Sequence, residues 1–168
     1  MNQFLIRSLK DNDPLMISDA FASQGWHKPV ELYEKYANEQ ADGLRETLVA
    51  EADGQFAGYV NIVWMSDYEH FKERSIPEIQ DFNVLIKYRR LGCGTLLLDR
   101  AEDIIAHRSE LAGIGVGLFS DYGAAQSMYV KRGYVPDGQG IYRNGEYLHY
   151  GQQTVVDDDL NLYFVKKL

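Results

Sequence analysis

Short apolar runs alternate along this chain with stretches in which apolar residues recur at helical spacing. Leu97, Leu98, Ala101, Ile104 and Ile105 fall on one side of a helix predicted over Thr95–Arg108, with Asp99, Arg100, Glu102 and Asp103 largely on the other. Strands are predicted at Phe4–Leu9, Thr47–Ala52, Gln55–Met65, Glu78–Ile86, Gly113–Phe119, Tyr134–Val135 and Leu160–Lys166. Further helices are expected from Asp11 or Asp13, either of which could cap, to about Gln24, then over Pro29–Gln40 and Tyr122–Arg132. Gly133 stops the last of these. Asp53-Gly54 joins two strand runs as a two-residue hairpin, and Asn144-Gly145 marks another turn.

The order is strand, two helices, hairpin, strand, helix, strand, helix and closing strands. Its central strand–helix–strand unit requires a parallel pair with a right-handed crossover. The hairpins on either side imply antiparallel pairs, so a mixed α/β sheet with helices on both faces follows. No repeat, low-complexity tract or linker interrupts the 168 residues, which suits one domain.

Composition narrows the function. A formal net charge of −8 argues against bulk attraction to nucleic acid or an anionic membrane and favours a cationic substrate. Cys93 is the only cysteine, and the four histidines show no ligand spacing, so neither a disulfide nor a metal site is expected. No apolar run approaches a membrane span, and Met1-Asn2-Gln3-Phe4 does not resemble a signal peptide, so a cytoplasmic location is expected.

The densest chemical signal is Arg89-Arg90-Leu91-Gly92-Cys93-Gly94, between a strand and a helix. A glycine loop opening into a helix presents free main-chain N–H groups and the positive helix end, which favour an anion. The two arginines add charge-assisted donors for phosphate. Cys93 has no histidine beside it in sequence and reads as a small packing residue.

Arg89, Gly92 and Gly94, followed one strand later by Ala125, Tyr129, Gly133 and Tyr134, resemble the paired motifs of the GNAT superfamily of acetyl-CoA-dependent N-acetyltransferases. The resemblance covers Thr47–Val135 well and the remainder loosely. It implies a GNAT-like mixed, splayed β-sheet flanked by helices on both faces. It also implies acetyl-CoA as acyl donor, with a primary amine of a small molecule or peptide as acceptor. Pyrophosphate binding is carried over to Arg89, Arg90, Leu91, Gly92, Cys93, Gly94 and Thr95, and contact with the pantetheine arm to the main chain of Phe82 and Val84. Gly113, Gly115 and Gly117 suit a strand that splays from its neighbour. One position departs from the family pattern: Tyr122 stands where many members have an asparagine.

Acyl transfer to an amine needs a base, because a lysine-like amine with a pKa of about 10.4 is mostly protonated at neutral pH. Glu78 starts its strand eleven residues before Arg89, where related enzymes carry a base glutamate. Asp81 lies three residues on, on the opposite side of an ideal strand, unless a bulge changes that parity. A direct carboxylate base and a water chain both remain open. Tyr129 matches a family tyrosine that points at the sulfur and is the candidate acid. The resemblance allows a homodimer.

Other readings have less behind them. As a dinucleotide fingerprint the loop has Leu97 in place of the third glycine. A non-catalytic module of the same fold, binding acyl-CoA or a protein, would retain cofactor without releasing thiol. Asp157–Asp159 reads as a solvated turn or as a rim for a cationic amine. Trp26 reads as core or as substrate wall, and Tyr142, Tyr147 and Tyr150 as packing around a hairpin.

Overall fold

The structure is a computed structural model and describes residues 4–168. Its elements run β1 (Phe4–Ser8), α1 (Asp13–Ala22), α2 (Val30–Ala41), β2 (Arg45–Ala52), β3 (Gln55–Val63), α3 (Glu69–Glu73) and β4 (Glu78–Val84). After a 3-10 turn come α4 (Cys93–Ala106), β5 (Leu111–Gly117), α5 (Gly123–Lys131), β6 (Val135–Pro136), β7 (Tyr142–Arg143), β8 (Glu146–Tyr147) and β9 (Asn161–Lys167). The strands form one mixed sheet in the order β1-β2-β3-β4-β5-β9-β7-β8, with β6 also on β9. Among the described strands only β4 and β5 run parallel, as the β4–α4–β5 crossover requires.

The helices cover both faces. On one face Phe21 of α1 and Tyr33 of α2 pack edge-on against Tyr59 of β3. Lys166, opposite Ala112 in the β5–β9 ladder, points to the other face and pairs with Glu102 of α4 at 2.6 Å. Leu97, Leu98, Ala101 and Ile105 of α4 are fully buried, as their spacing predicts. Glu102 is also buried. Arg132, Lys166 and the Tyr134 hydroxyl all contact it, and the two cations hold its carboxyl below its usual range despite burial.

Three local expectations change. Asp13 does not cap α1; it is buried and accepts from both terminal guanidinium nitrogens of Arg7, at 2.6 and 3.0 Å. The polar stretch before β4 contains the short helix α3, anchored by buried Phe71. The glycines of β5 each make room for an aromatic ring. A Cβ would stand 2.3 Å from Phe71 at Gly113, 2.8 Å from Tyr163 at Gly115 and 2.4 Å from Tyr122 at Gly117. The hairpin turns follow the sequence signals: Asp53-Gly54 and Asn144-Gly145 all adopt positive φ.

Candidate active site

Two irregularities of β4 open the sheet. Toward β3, Asn61 pairs with Gln80 while Tyr59 pairs with Asn83, so β4 carries one extra residue there. Asp81 sits in this bulge with φ of 44°, a left-handed conformation that is strained for a residue with a side chain. Toward β5, pairing stops after Glu78↔Gly113 and Ile79↔Ile114. Beyond that point the two strands diverge, while β5 stays fully paired to β9.

The gap widens into a cleft of about 860 Å3 whose walls include Gln80–Val84, Ile114–Val116 and residues of α5. Its far end is the start of α4, where Arg89, Arg90, Gly92, Gly94 and Thr95 line it. Arg90 (φ 60°) and Gly92 (φ 90°) are both left-handed. Gly92 occupies the N-cap position, and no side chain caps the helix. The first-turn amides of Cys93, Gly94 and Thr95 therefore have no intrahelical or capping acceptor. Gly94 abuts the strand: a Cβ there would lie 2.9 Å from the Phe82 ring.

Arg89 is fixed by its Nε–H donating to the Val84 carbonyl at 3.1 Å, and its guanidinium stacks on Trp26 at 5.3 Å. Trp26 lines the cleft and stacks on buried Phe21 at 6.0 Å. Leu91 is exposed, and Cys93 is buried with its thiol pushed up to about 11 by desolvation. Neither side chain lines the cleft, so any contact they offer an anion is through the main chain.

The two carboxylates of β4 differ in setting. Glu78 is only 5% exposed and is raised in pKa by burial; the Ser66 hydroxyl and Gln80 Nε2 (2.9 Å) donate to it. Asp81 lines the cleft. Tyr59 donates to it at 2.5 Å, Tyr36 and Asn83 at 2.8 Å each, and the Lys28 ammonium stands 3.4 Å away. The bulge thus turns Asp81 toward the face that α1 and α2 cover, with Tyr59 and Asn83. Gln80 lines the cleft and touches Glu78, bridging the cleft wall and the buried carboxyl.

Tyr129 lines the opposite wall and is 5% exposed; burial raises its pKa far above neutrality, so the phenol keeps its proton. Tyr122 also lines the cleft, donates to Asp158 at 2.9 Å and is pushed up to about 12 by burial and that carboxylate. Of the acidic triplet, Asp157 is engaged by Arg143, and Asp158 reaches the cleft wall. Tyr142 and Tyr147 pack with Tyr68, Phe71 and Tyr163 in a second apolar cluster. Sequence reasoning did not single out Lys28, Tyr36 or Tyr59; their convergence on Asp81 depends on tertiary packing and leaves no local pattern.

The model of the acetyltransferase (GNAT) family matches residues 14–134, and the chain belongs to that family of N-acetyltransferase enzymes. The fold agrees with solved structures. A GNAT-family acetyltransferase of Streptococcus pneumoniae superposes with a TM-score of 0.69 at 22% identity, over 99% of this chain and 100% of that one. The yncA protein of Salmonella typhimurium, solved with its cofactor acetyl-CoA, gives 0.69 at 18% identity over 99% and 94%. A spermidine N-acetyltransferase chimera from Vibrio cholerae and hSSAT gives 0.66 at 19% over 98% and 95%. No curated protein matches the chain in sequence. Among the described residues no helix is long and apolar enough to cross a membrane, and no group of three ligating side chains could hold a metal ion.

Proposed function

We propose that the protein transfers an acetyl group from acetyl-CoA to a primary amine of a small molecule or peptide. One observation carries this reading: the unpaired gap between β4 and β5 runs directly to an uncapped helix start flanked by two arginines. An extended arm ending in a diphosphate fits that shape. The diphosphate would lie on the amides of Leu91, Gly92, Cys93, Gly94 and Thr95, with Arg89 and Arg90 beside it. The main chain of Phe82 and Val84, unpaired toward β5, would hold the arm. Acetyl-CoA supplies an acyl group already activated as a thioester.

The protein's own groups then handle protons and position. Glu78 is the proposed base. Burial raises its proton affinity, which improves a carboxylate as a base near neutrality, and Gln80 links it to the cleft. Asp81 is the second candidate, favoured by its direct place on the cleft wall. Tyr129, held protonated, is the proposed donor to the departing thiolate. Holding both reactants in one cleft contributes most to the rate.

The charge balance of −8 and the acids Asp81, Asp121 and Asp158 on the walls support a cationic small-molecule acceptor. The spermidine enzyme among the structural neighbours points the same way, while neighbours acting on ribosomal-protein alanine keep peptide amines in view. Calorimetry with acetyl-CoA, followed by thiol release over a panel of polyamines, amino sugars, amino acids and peptides, tests the reading. Uptake of acetyl-CoA with amine-dependent thiol release is expected. Absence of uptake by folded protein overturns it, and uptake without release from any amine leaves a binding module.

A further inference from the structure

We propose that the protein acetylates its own Lys28, a side chain that occupies the acceptor end of the cleft. The inference rests on the acyl transfer proposed above. Lys28 lies in the connection between α1 and α2 and lines the cleft. Its ammonium stands 3.4 Å from Asp81 Oδ1 and donates to the Tyr59 hydroxyl at 3.1 Å. It also sits over the rings of Phe21 and Tyr59, at 5.3 and 5.6 Å. A carboxylate, a phenol and aromatic faces are together what a site for an alkylammonium requires.

Two geometric facts bring this nitrogen to the reacting position. First, the gap between β4 and β5 closes at Ile79, so an arm threaded from α4 ends beside Gln80 and Asp81. Second, Asp81 is the residue that Lys28 reaches. The tether is loose: 3.4 Å is the longest of the contacts to the Asp81 carboxylate, and the Lys28 side chain stays 22% exposed.

The protons have a route. Lys28 donates to Tyr59, and Tyr59 donates to Asp81, so the ammonium proton passes through the phenol to the carboxylate. The freed Nζ forms a bond to the acetyl carbon, the thioester C–S bond breaks, and the thiolate takes the second proton shed by nitrogen. The modified Lys28 is neutral, its ion pair with Asp81 is lost, and the amide occupies space that an external amine would need. The modification therefore restrains turnover.

The test incubates the full chain with isotopically labelled acetyl-CoA and measures acetyl occupancy at each lysine by mass spectrometry. Lys28 is expected to label about tenfold faster than exposed Lys10, Lys35, Lys72 and Lys167, a small part of what intramolecular placement can supply. The rate constant should not depend on protein concentration, and excess CoA should suppress labelling at Lys28 alone. Labelling of Lys28 no faster than the exposed lysines, or a rate that rises with protein concentration, overturns the proposal.

A second measurement needs no turnover. The wild-type chain incubated with bromoacetyl-CoA should take up one CoA at Lys28, Nζ bonding to the methylene carbon as bromide leaves and a proton is shed; calorimetric binding of CoA without that adduct also overturns the proposal. Thiol release with an external amine while Lys28 stays unmodified would defeat only this inference. Absence of acetyl-CoA uptake would defeat the acyl-transfer reading and this inference with it.

Discussion

The Tyr59 hydroxyl lies 2.5 Å from the Asp81 carboxylate, and the two residues stand on adjoining strands where their ladder slips by one position. The bond ties the strained φ of Asp81 to a fully buried phenol. Tyr59→Phe removes a hydrogen bond to a charged group, so a loss of roughly 1.5–3 kcal/mol of stability is expected. The acceptor KM should rise while acetyl-CoA affinity holds. Urea denaturation with parallel calorimetry checks this, and an unchanged denaturation midpoint would show the bond to be energetically idle.

Glu78 gives a pH signature. Its folded-state pKa lies above the unfolded value because burial penalises the charge. Its stabilising contribution is therefore fully present below the unfolded pKa and is lost as pH rises through the folded one. Glu78→Gln should remove that loss, so the melting temperature of the variant gains on the wild type with rising pH above the ordinary glutamate range. As a base, Glu78 works only when ionised. The wild-type rate should climb through the same raised pKa, and Glu78→Gln should lose that limb and roughly 100-fold in kcat, within the usual span for a general base. Parallel pH profiles of melting and of kcat decide; a limb that persists in the variant assigns the base to another group.

Tyr129→Phe keeps the ring against Tyr134, 6.1 Å away between centroids, and deletes the proton. A fall in kcat of about 100-fold with little change in acetyl-CoA Kd is expected for loss of a proton donor. Steady-state kinetics with calorimetry separates the two effects, and equal loss in both would mark the residue as packing.

At the proposed diphosphate end, Arg89→Ala removes a cationic donor and its stacking on Trp26. A loss of about 1.5–3 kcal/mol for such a contact corresponds to roughly 10- to 100-fold in Kd. Calorimetry at two salt concentrations measures it, and an unchanged Kd would place the diphosphate elsewhere.

Gly94→Ala would bring a methyl group to 2.9 Å from the Phe82 ring, so that ring must shift, and both residues line the cleft. Affinity for acetyl-CoA should drop while the fold survives, because the nearest atoms are the far end of a side chain. Circular dichroism with calorimetry reports both, and undiminished affinity would show that the ring is free to move aside without narrowing the gap.

The parts of this fold that announce themselves in sequence are the locally determined ones. The α4 stripe, the Asp53-Gly54 turn and the glycine loop each depend on residues within a few positions of one another. The bulge at Asp81 does not. It reflects how β3 and β4 meet, and no short pattern distinguishes Gln80-Asp81-Phe82 from an ordinary strand. The same holds at Asp13: an aspartate before Pro14 has the chemistry of a cap, yet Arg7 on β1 claims it. Lys28, Tyr36 and Tyr59 come from separate segments and meet only when α1 and α2 settle on the sheet. The glycines of β5 were visible, but the rings filling their places come from α3, β9 and the turn before α5.

That last arrangement bears on how new specificities arise. At alternate positions β5 contributes bare backbone, so the contour of its surface is set by Phe71, Tyr163 and Tyr122, which are carried on independent stretches of chain. Of the three, Tyr122 alone faces the cleft, while Phe71 and Tyr163 belong to the second apolar cluster. Descendants of this sequence can thus reshape the chamber at that one ring, carried on a turn outside the sheet, while the ladder to β9 is inherited intact.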